Sequence, residues 1–486
     1  MKQYPSNSKE VAIIGAGLVG CLAALNLAKL GYSVTIFEYR SDPRTIQDHQ
    51  NLRSINLAIS ERGIAALQNI DLDLSKRILD QIVPMKGRLI HSAPNSSRSI
   101  TYAQNYGVNG IECINSIDRN LLNIKLLNEI DTVPTIFAQF NRKLVNLIFP
   151  NEDQNDNANP ILYFQSTTNQ DSSSQNNILK RHDNFNFLIG ADGSYSTTRS
   201  LLQKHIRMDF KQEYIDMAYL ELFISSNPTH NTDSNSRFKL DKNYLHIWPR
   251  ENFMLIALPN YDGSFTSTFF APWHIMNSLN SNEEIISFFQ TNFPDVLNSN
   301  LISQESLLNF FNSNPKSSLI CTICNPYNYK GKCLLIGDAA HSMVPFYGQG
   351  MNCGFEDVRI LSNLIIKNQF DIHDAFEEYT ESRHRDLISI LQLAKDNYKE
   401  MSSNVNSSIH LLSKRLDNGL SKILGDYWLP LYTMVSFRSD ISYSQAIKIN
   451  KRQYRILSTL QLSLLSFSVY FALKYSKPLL NFFNKK

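Results

Sequence analysis

Val11-Ala12-Ile13-Ile14-Gly15-Ala16-Gly17-Leu18-Val19-Gly20 is the stretch on which the fold turns. Four apolar residues in a row read as a strand buried on both faces. Gly15, Gly17 and Gly20 then give the G-x-G-x-x-G spacing. Cys21 to Leu30 carries apolar residues at helical spacing, and Gly31 ends the helix. Val34-Thr35-Ile36-Phe37 reads as a second strand, closed by Glu38. In such a βαβ unit the first glycine allows a tight turn, the second admits a pyrophosphate, and the third lets helix and strand pack closely. The helix N-terminus offers free N–H groups to phosphates. Glu38 stands near the ~20-residue distance at which an acid reaches a ribose, which favours FAD or NAD over NADP at this site.

Working outward, the 486 residues leave room for two or three domains. A net charge of +3 is too small to argue for nucleic acid. The six cysteines are scattered and form no secreted disulfide framework. Cys321-x-x-Cys324 is a single pair inside an alternating, strand-like segment, and Asp338-x-x-His341 lacks further ligands nearby, so no metal is expected. Residues 1–10 are polar, with neither a signal-peptide core nor an Arg-rich presequence.

Two more strand ends repeat the opening theme. Phe187-Leu188-Ile189-Gly190-Ala191-Asp192-Gly193 runs from a strand into a turn, with a helix predicted after it. Cys333-Leu334-Leu335-Ile336-Gly337-Asp338 ends likewise, and Pro345 to Gly350 leads into a helix from Met351 to about Ile366. Further helices are expected over Glu61–Leu67, Asn120–Ile130, Ala375–Asn404 and Ser408–Leu424. Arg53–Ser60 alternates as a strand does. Pro84–His91 and Ser99–Tyr102 read as a hairpin in which Arg88 and Tyr102 are either neighbours across the sheet or, the reading the residues alone favour slightly, a surface Arg beside an amphipathic Tyr. Met217 to Phe270 alternates apolar and polar residues with many aromatics, which predicts an antiparallel sheet roofing a cavity. Residues 151–186, rich in Asn, Asp, Gln and Ser, read as a loop insertion between strands, with a short strand-like Ile161-Leu162-Tyr163-Phe164 inside it. Ile456 to Leu473 carries no charge and would span ~27 Å as a helix, close to the ~30 Å of a bilayer core. Lys448, Lys451, Arg452 and Arg455 precede it, and the reading is a C-terminal membrane anchor or an amphipathic helix lying on a surface.

The three glycine-bearing blocks, in this order, resemble the single-component FAD-dependent aromatic hydroxylases. Arg53–Ala58, Tyr244–Arg250, Phe346–Asn352 and Pro430–Val435 are similar, within them, to the kynurenine 3-monooxygenases. The resemblance implies an α/β chain: a Rossmann-like FAD-binding domain, an antiparallel-sheet substrate domain, C-terminal helices and a membrane segment. The expected division is discontinuous. FAD-binding parts are 1–84, 112–205 and 318–395, the sheet domain is 85–111 and 206–317, the helical region is 396–455, and the anchor is 456–474. It further implies FAD contacts at Gly15, Gly17, Val19, Gly20, Glu38, Arg40, Ala58, Arg119, Leu144, Asp192, Thr197, Asp338, Met351 and Asn352. Arg88, Tyr102, Asn397 and Tyr432 would hold the amino-acid end of L-kynurenine. The implied reaction is NADPH- and O2-dependent hydroxylation to 3-hydroxykynurenine by way of a flavin C4a-hydroperoxide, with no protein acid–base pair assigned. The implied location is the mitochondrial outer membrane, facing the cytosol. The competing readings are a related hydroxylase for another aromatic acid and a non-catalytic flavin-fold binding protein.

Overall fold

The computed structural model describes residues 9–45, 57–94, 101–107, 110, 112–150, 158–167, 179–227, 237–402, 416–417 and 419–483. Parts of several expected elements, 53–56, 99–100 and 408–415 among them, lie outside these.

A six-stranded sheet forms the first layer. Its order is Asn328–Tyr329, Cys333–Leu335, Phe187–Gly190, Glu10–Ile14, Ser33–Phe37, Ile136–Gln139. Every pairing is parallel except that of the edge strand Asn328–Tyr329. The register aligns Ile14 with Gly190 and Gly190 with Leu335. Three strands therefore end side by side, and Gly15, Asp192 and Asp338 follow at one carboxyl edge. In open α/β sheets the ligand-binding crevice lies at such an edge. Helices Leu18–Lys29 and Gly350–Lys367 pack against each other beside this sheet.

The second layer is a seven-stranded sheet ordered Ser317–Asn325, Asp209–Ile224, Phe265–Ala271, Phe253–Pro259, Tyr244–Arg250, Gly87–His91, Thr101–Asn105. One junction corrects the antiparallel expectation: Tyr244–Arg250 and Gly87–His91 run parallel. Strands joined by a hairpin must reverse direction, but these two are distant in sequence and nothing local dictates their sense. Ser317–Asn325 pairs with Asp209–Ile224 here, so the boundary expected at 318 cuts through this sheet. Alternation along the strands sorts the two faces. Trp248, Leu255, Ala257 and Phe269 pack with Phe289 and Phe311 from the helices that follow and with Phe293 between two of them. Ile256, Leu258 and Phe270 face the other way, into a cavity.

Two local expectations change. Pro84–His91 is not one strand. Val83–Met85 joins a small sheet with Leu57–Ile59 and Ile114–Ile117, and the chain then crosses into the large sheet at Gly87. A Cβ at Gly87 would lie 2.4 Å from the Gln104 carbonyl, so this crossing is tight against Thr101–Asn105. The insertion 151–186 is not wholly loop either. Arg142–Ile148, Ile161–Ser166 and Lys180–His182 form an antiparallel three-stranded sheet. Leu162 and Phe164 are buried, and Phe164 stacks on Phe37 at 4.0 Å. The strand-like reading of Ile161–Phe164 holds, with Leu162 and Phe164 on the inner face, and only Lys180–His182 was hidden by its polar composition.

The C-terminal region comprises helices Ile372–Ser402, Leu431–Ser436 and Tyr443–Phe483. The last contains the segment 456–474, part of whose side chains lie outside the described ones. Among the described residues no helix is long and apolar enough to cross a membrane.

Candidate functional site

A cavity of about 700 Å³ lies between the two sheets. At one end it is walled by the three strand-end turns: Gly15 and Gly17, Asp192 and Gly193, and Asp338. Gly15 takes φ +105°, and a Cβ there would lie 2.5 Å from the Ala191 carbonyl. That conformation and that space suit glycine alone. A Cβ at Gly17, by contrast, would meet nothing within 4 Å and would project into open space at the cavity wall. Gly20 does not line the cavity. A Cβ there would lie 1.9 Å from the Gly15 carbonyl, so its role is to let helix Leu18–Lys29 touch the turn.

Polar side chains at this end are partly committed to the protein. Glu38 is buried; its Oε2 accepts from Ala16 N at 2.9 Å and its Oε1 from Arg40 N and Nε at 3.0 and 2.8 Å. A carboxylate has about four acceptor sites, so one site, on Oε2, is left for a ribose hydroxyl. Asp192 turns back on its own loop. Its Oδ1 accepts from Ser196 Oγ at 2.5 Å, and its Oδ2 from Thr198 N and Oγ1 at 2.9 and 3.0 Å. Burial raises its pKa against these bonds. It thereby fixes the turn that presents backbone groups to the cavity. Asp338 is likewise raised by burial, with Arg119 acting against the shift. Val19, Arg40, Ala58, Arg119, Leu144, Thr197 and Met351 also line the cavity. Asn352 does not. Its Nδ2 donates to the Ala58 and Gly348 carbonyls at 2.8 Å each, and its Oδ1 accepts from Ser60 N at 2.9 Å. It ties the loop before helix Gly350–Lys367 to strand Leu57–Ile59, and that helix points its N-terminus at the cavity through Gly350 and Met351.

The other end is aromatic around one cation. Arg88 is buried in the wall, its Cζ 5.1 Å from the Tyr432 ring and 6.0 Å from that of Tyr106. Tyr106 and Tyr347 both stack on Tyr432, at 5.2 and 5.5 Å. Burial, then Tyr106, push the Tyr432 phenol well above its ordinary range, so it is a neutral hydroxyl. Leu245, Ile256, Leu258 and Phe270 close the wall. A buried guanidinium with adjacent phenols suits a carboxylate on an aromatic or apolar body.

Of the four residues expected to hold the substrate, two lie elsewhere. Tyr102 pairs with Ile90, not with Arg88, and does not line the cavity. Asn397 stands behind the wall: its Nδ2 donates to the Phe346 carbonyl at 2.6 Å, holding a cavity-lining loop. Tyr106 and Tyr347 were missed. Tyr106 continues the period-two face of Tyr102 and Gln104, one step deeper. Tyr347 stood inside a motif read for its glycines.

Residues 166–385 match the FAD binding domain family and residues 10–98 the FAD dependent oxidoreductase family. The kynurenine 3-monooxygenase of Candida albicans is 50% identical, over 96% of this chain and 96% of its own. That of Saccharomyces cerevisiae is 47% identical, over 96% of this chain and 98% of its own.

The chain belongs to the kynurenine 3-monooxygenase family.

Its fold is that of a solved aromatic oxygenase. A 2-methyl-3-hydroxypyridine-5-carboxylic acid oxygenase matches with a TM-score of 0.60 at 16% identity, covering 83% of this chain and 95% of that one. As a kynurenine 3-monooxygenase family member the chain is an FAD-dependent enzyme, and the cavity fits the cofactor. The open space at Gly17 and Gly193 is a cradle that a side chain would fill. Gly15, Gly17 and the first amides of helix Leu18–Lys29 would take the pyrophosphate, Glu38 the ribose, and Met351 at its helix N-terminus the ring.

Proposed function

We propose that this chain hydroxylates L-kynurenine to 3-hydroxykynurenine, using NADPH and O2. The observation that carries the substrate reading is Arg88 between Tyr106 and Tyr432, in the same cavity as the dinucleotide turns. FAD, when bound, supplies the redox chemistry that takes electrons from NADPH and activates O2. The chain's own residues bind and orient. Arg88 and the Tyr432 hydroxyl hold the amino-acid carboxylate. Leu245, Ile256, Leu258 and Phe270 hold the ring and keep water from the reacting region. The N-terminus of helix Gly350–Lys367 favours negative charge beside it. The substrate's ring amine activates its own ring, so no general base is required of the protein.

The test is turnover by purified holoenzyme. NADPH oxidation is expected to rise on adding L-kynurenine and to match 3-hydroxykynurenine formed. Hydroxylation of a different aromatic acid alone would reassign the substrate, and protein lacking stoichiometric flavin would remove the enzyme reading.

We further propose that helix Tyr443–Phe483 attaches the protein to the mitochondrial outer membrane, with the catalytic body on the cytosolic side. Exposed Ile456, Leu460, Phe467 and Tyr470 support this, with Lys448, Lys451, Arg452 and Arg455 before them. The start of the helix belongs to the body, since Tyr443 and Ala446 are buried. Deleting residues 456–486 is therefore expected to move the protein to the soluble fraction while kynurenine turnover persists. Continued sedimentation with membranes would place the attachment elsewhere.

A further inference from the structure

Arg62 is fully buried, yet it belongs to helix Glu61–Ile70 on the dinucleotide side. Its side chain reaches across to the C-terminal region. Nε donates to the Val435 carbonyl at 2.7 Å, and Nη2 to those of Met434 and Ile441 at 3.2 and 2.5 Å. Nη1 pairs with Glu356 Oε1 at 2.6 Å, and the guanidinium lies 4.1 Å over the Tyr443 ring.

Met434 and Val435 are in the last turn of helix Leu431–Ser436, whose final carbonyls lack amide partners further along the helix. A six-residue helix is far below the ~12–15 residues needed for independent stability. Its position must be imposed from outside, and Arg62 spans its exit. Tyr432 is at its start, in the cavity beside Arg88. Glu356 is gripped a second time by Arg383 Nη2 at 2.8 Å, and Arg383 Nε reaches Asp357 Oδ1 at 2.9 Å. Asp357 Oδ2 accepts from Gly337 N at 3.1 Å, immediately before Asp338. Burial opposes the charge on Asp357, but His341 and Arg383 outweigh it and hold the carboxyl well below its usual range. One ionic frame thus joins the Gly-Asp strand end, the helix Gly350–Lys367 and the segment carrying Tyr432.

We propose that Arg62 is a positioning residue for substrate binding: by tying three carbonyls it fixes the short helix so that Tyr432 meets the substrate together with Arg88. This rests on reading the Arg88 end of the cavity as the substrate end. The role needs arginine, whose planar fork carries five donors. Lysine keeps the charge beside Glu356, but its three donors sit on one nitrogen and cannot serve all three carbonyls and that carboxylate at once.

The experiment uses the full-length holoenzyme with Arg62→Lys, Tyr432→Phe and the double variant, measuring KM for L-kynurenine, kcat and flavin content. Arg62→Lys is expected to raise KM about tenfold while flavin content stays level, since a loss of folded protein would lower Vmax and not KM. In the Tyr432→Phe background the same change is expected to add little, because coupled residues are not additive. An unchanged KM in Arg62→Lys, or full additivity with Tyr432→Phe, overturns the proposal. If Tyr432→Phe alone leaves KM unchanged, the substrate reading of this end fails, and the proposal falls with it. Should Arg62→Lys not accumulate as holoenzyme, Tyr443→Leu removes the ring beneath the guanidinium. A KM rise supports the proposal and an unchanged KM overturns it.

Discussion

Replacing Arg88 with alanine is expected to raise the KM for L-kynurenine on the order of a hundredfold, with flavin content unchanged. Arg88 is buried beside two phenol rings, where a carboxylate finds little water to compete for its charge. Truncating one partner of a buried charged contact costs about 2–5 kcal/mol, and about 1.4 kcal/mol is a factor of ten. The loss should fall on substrate binding, because none of the three strand-end turns includes Arg88. Steady-state kinetics with a flavin absorbance ratio separates the two effects. A variant that binds L-kynurenine as tightly as the parent would remove Arg88 from the site, and one that loses flavin as well would make it a structural residue.

Gly20→Ala is expected to abolish flavin retention and lower thermal stability together. The added methyl would lie 1.9 Å from the Gly15 carbonyl. That neighbour is backbone, so no rotamer change relieves the clash, and overpacking of this kind costs about 1–3 kcal/mol or more. Relief requires helix Leu18–Lys29 to withdraw from the strand, which takes its N-terminal amides away from the phosphates. Gly17→Ala provides the contrast. Its φ of −73° suits alanine, and a Cβ there meets nothing within 4 Å. Unliganded stability should therefore hold while flavin affinity falls, because the methyl takes space that the cofactor needs. Thermal unfolding with and without added FAD reads both variants. Equal behaviour of the two would mean that the three glycines do not have separate jobs.

These two sites differ in how far the chain announces them. The spacing of Gly15, Gly17 and Gly20, between a buried strand and an amphipathic helix, is a local pattern and was legible. So were the strand ends at Asp192 and Asp338, since parallel strands of one sheet must finish on the same edge. Arg88 was reached through resemblance, and its neighbours were only half legible. Tyr102 and Tyr106 share a period-two face, and nothing local says which of them reaches the cavity. That depends on where Gly87–His91 crosses from one sheet to another. Asn397 carries an amide suited to binding, but its bond to Phe346 makes it a support. Of the strands in 151–186, Ile161–Ser166 was legible in its apolar run, whereas Lys180–His182 was masked because it carries three polar residues and no apolar one.

The order of the elements, the dinucleotide turn and the basic-flanked tail were determined by sequence alone, because each is written in spacings of a few residues that sterics convert directly into strands, helices and turns. The pairing of Arg88 with Tyr106 and Tyr432, the parallel junction in the large sheet and the reach of Arg62 to Met434 and Val435 were decided only by the tertiary structure. Most of those contacts join segments far apart in the chain, and the forces that select them, burial and the pairing of charges in low dielectric, act on neighbours in space and leave no period along the chain.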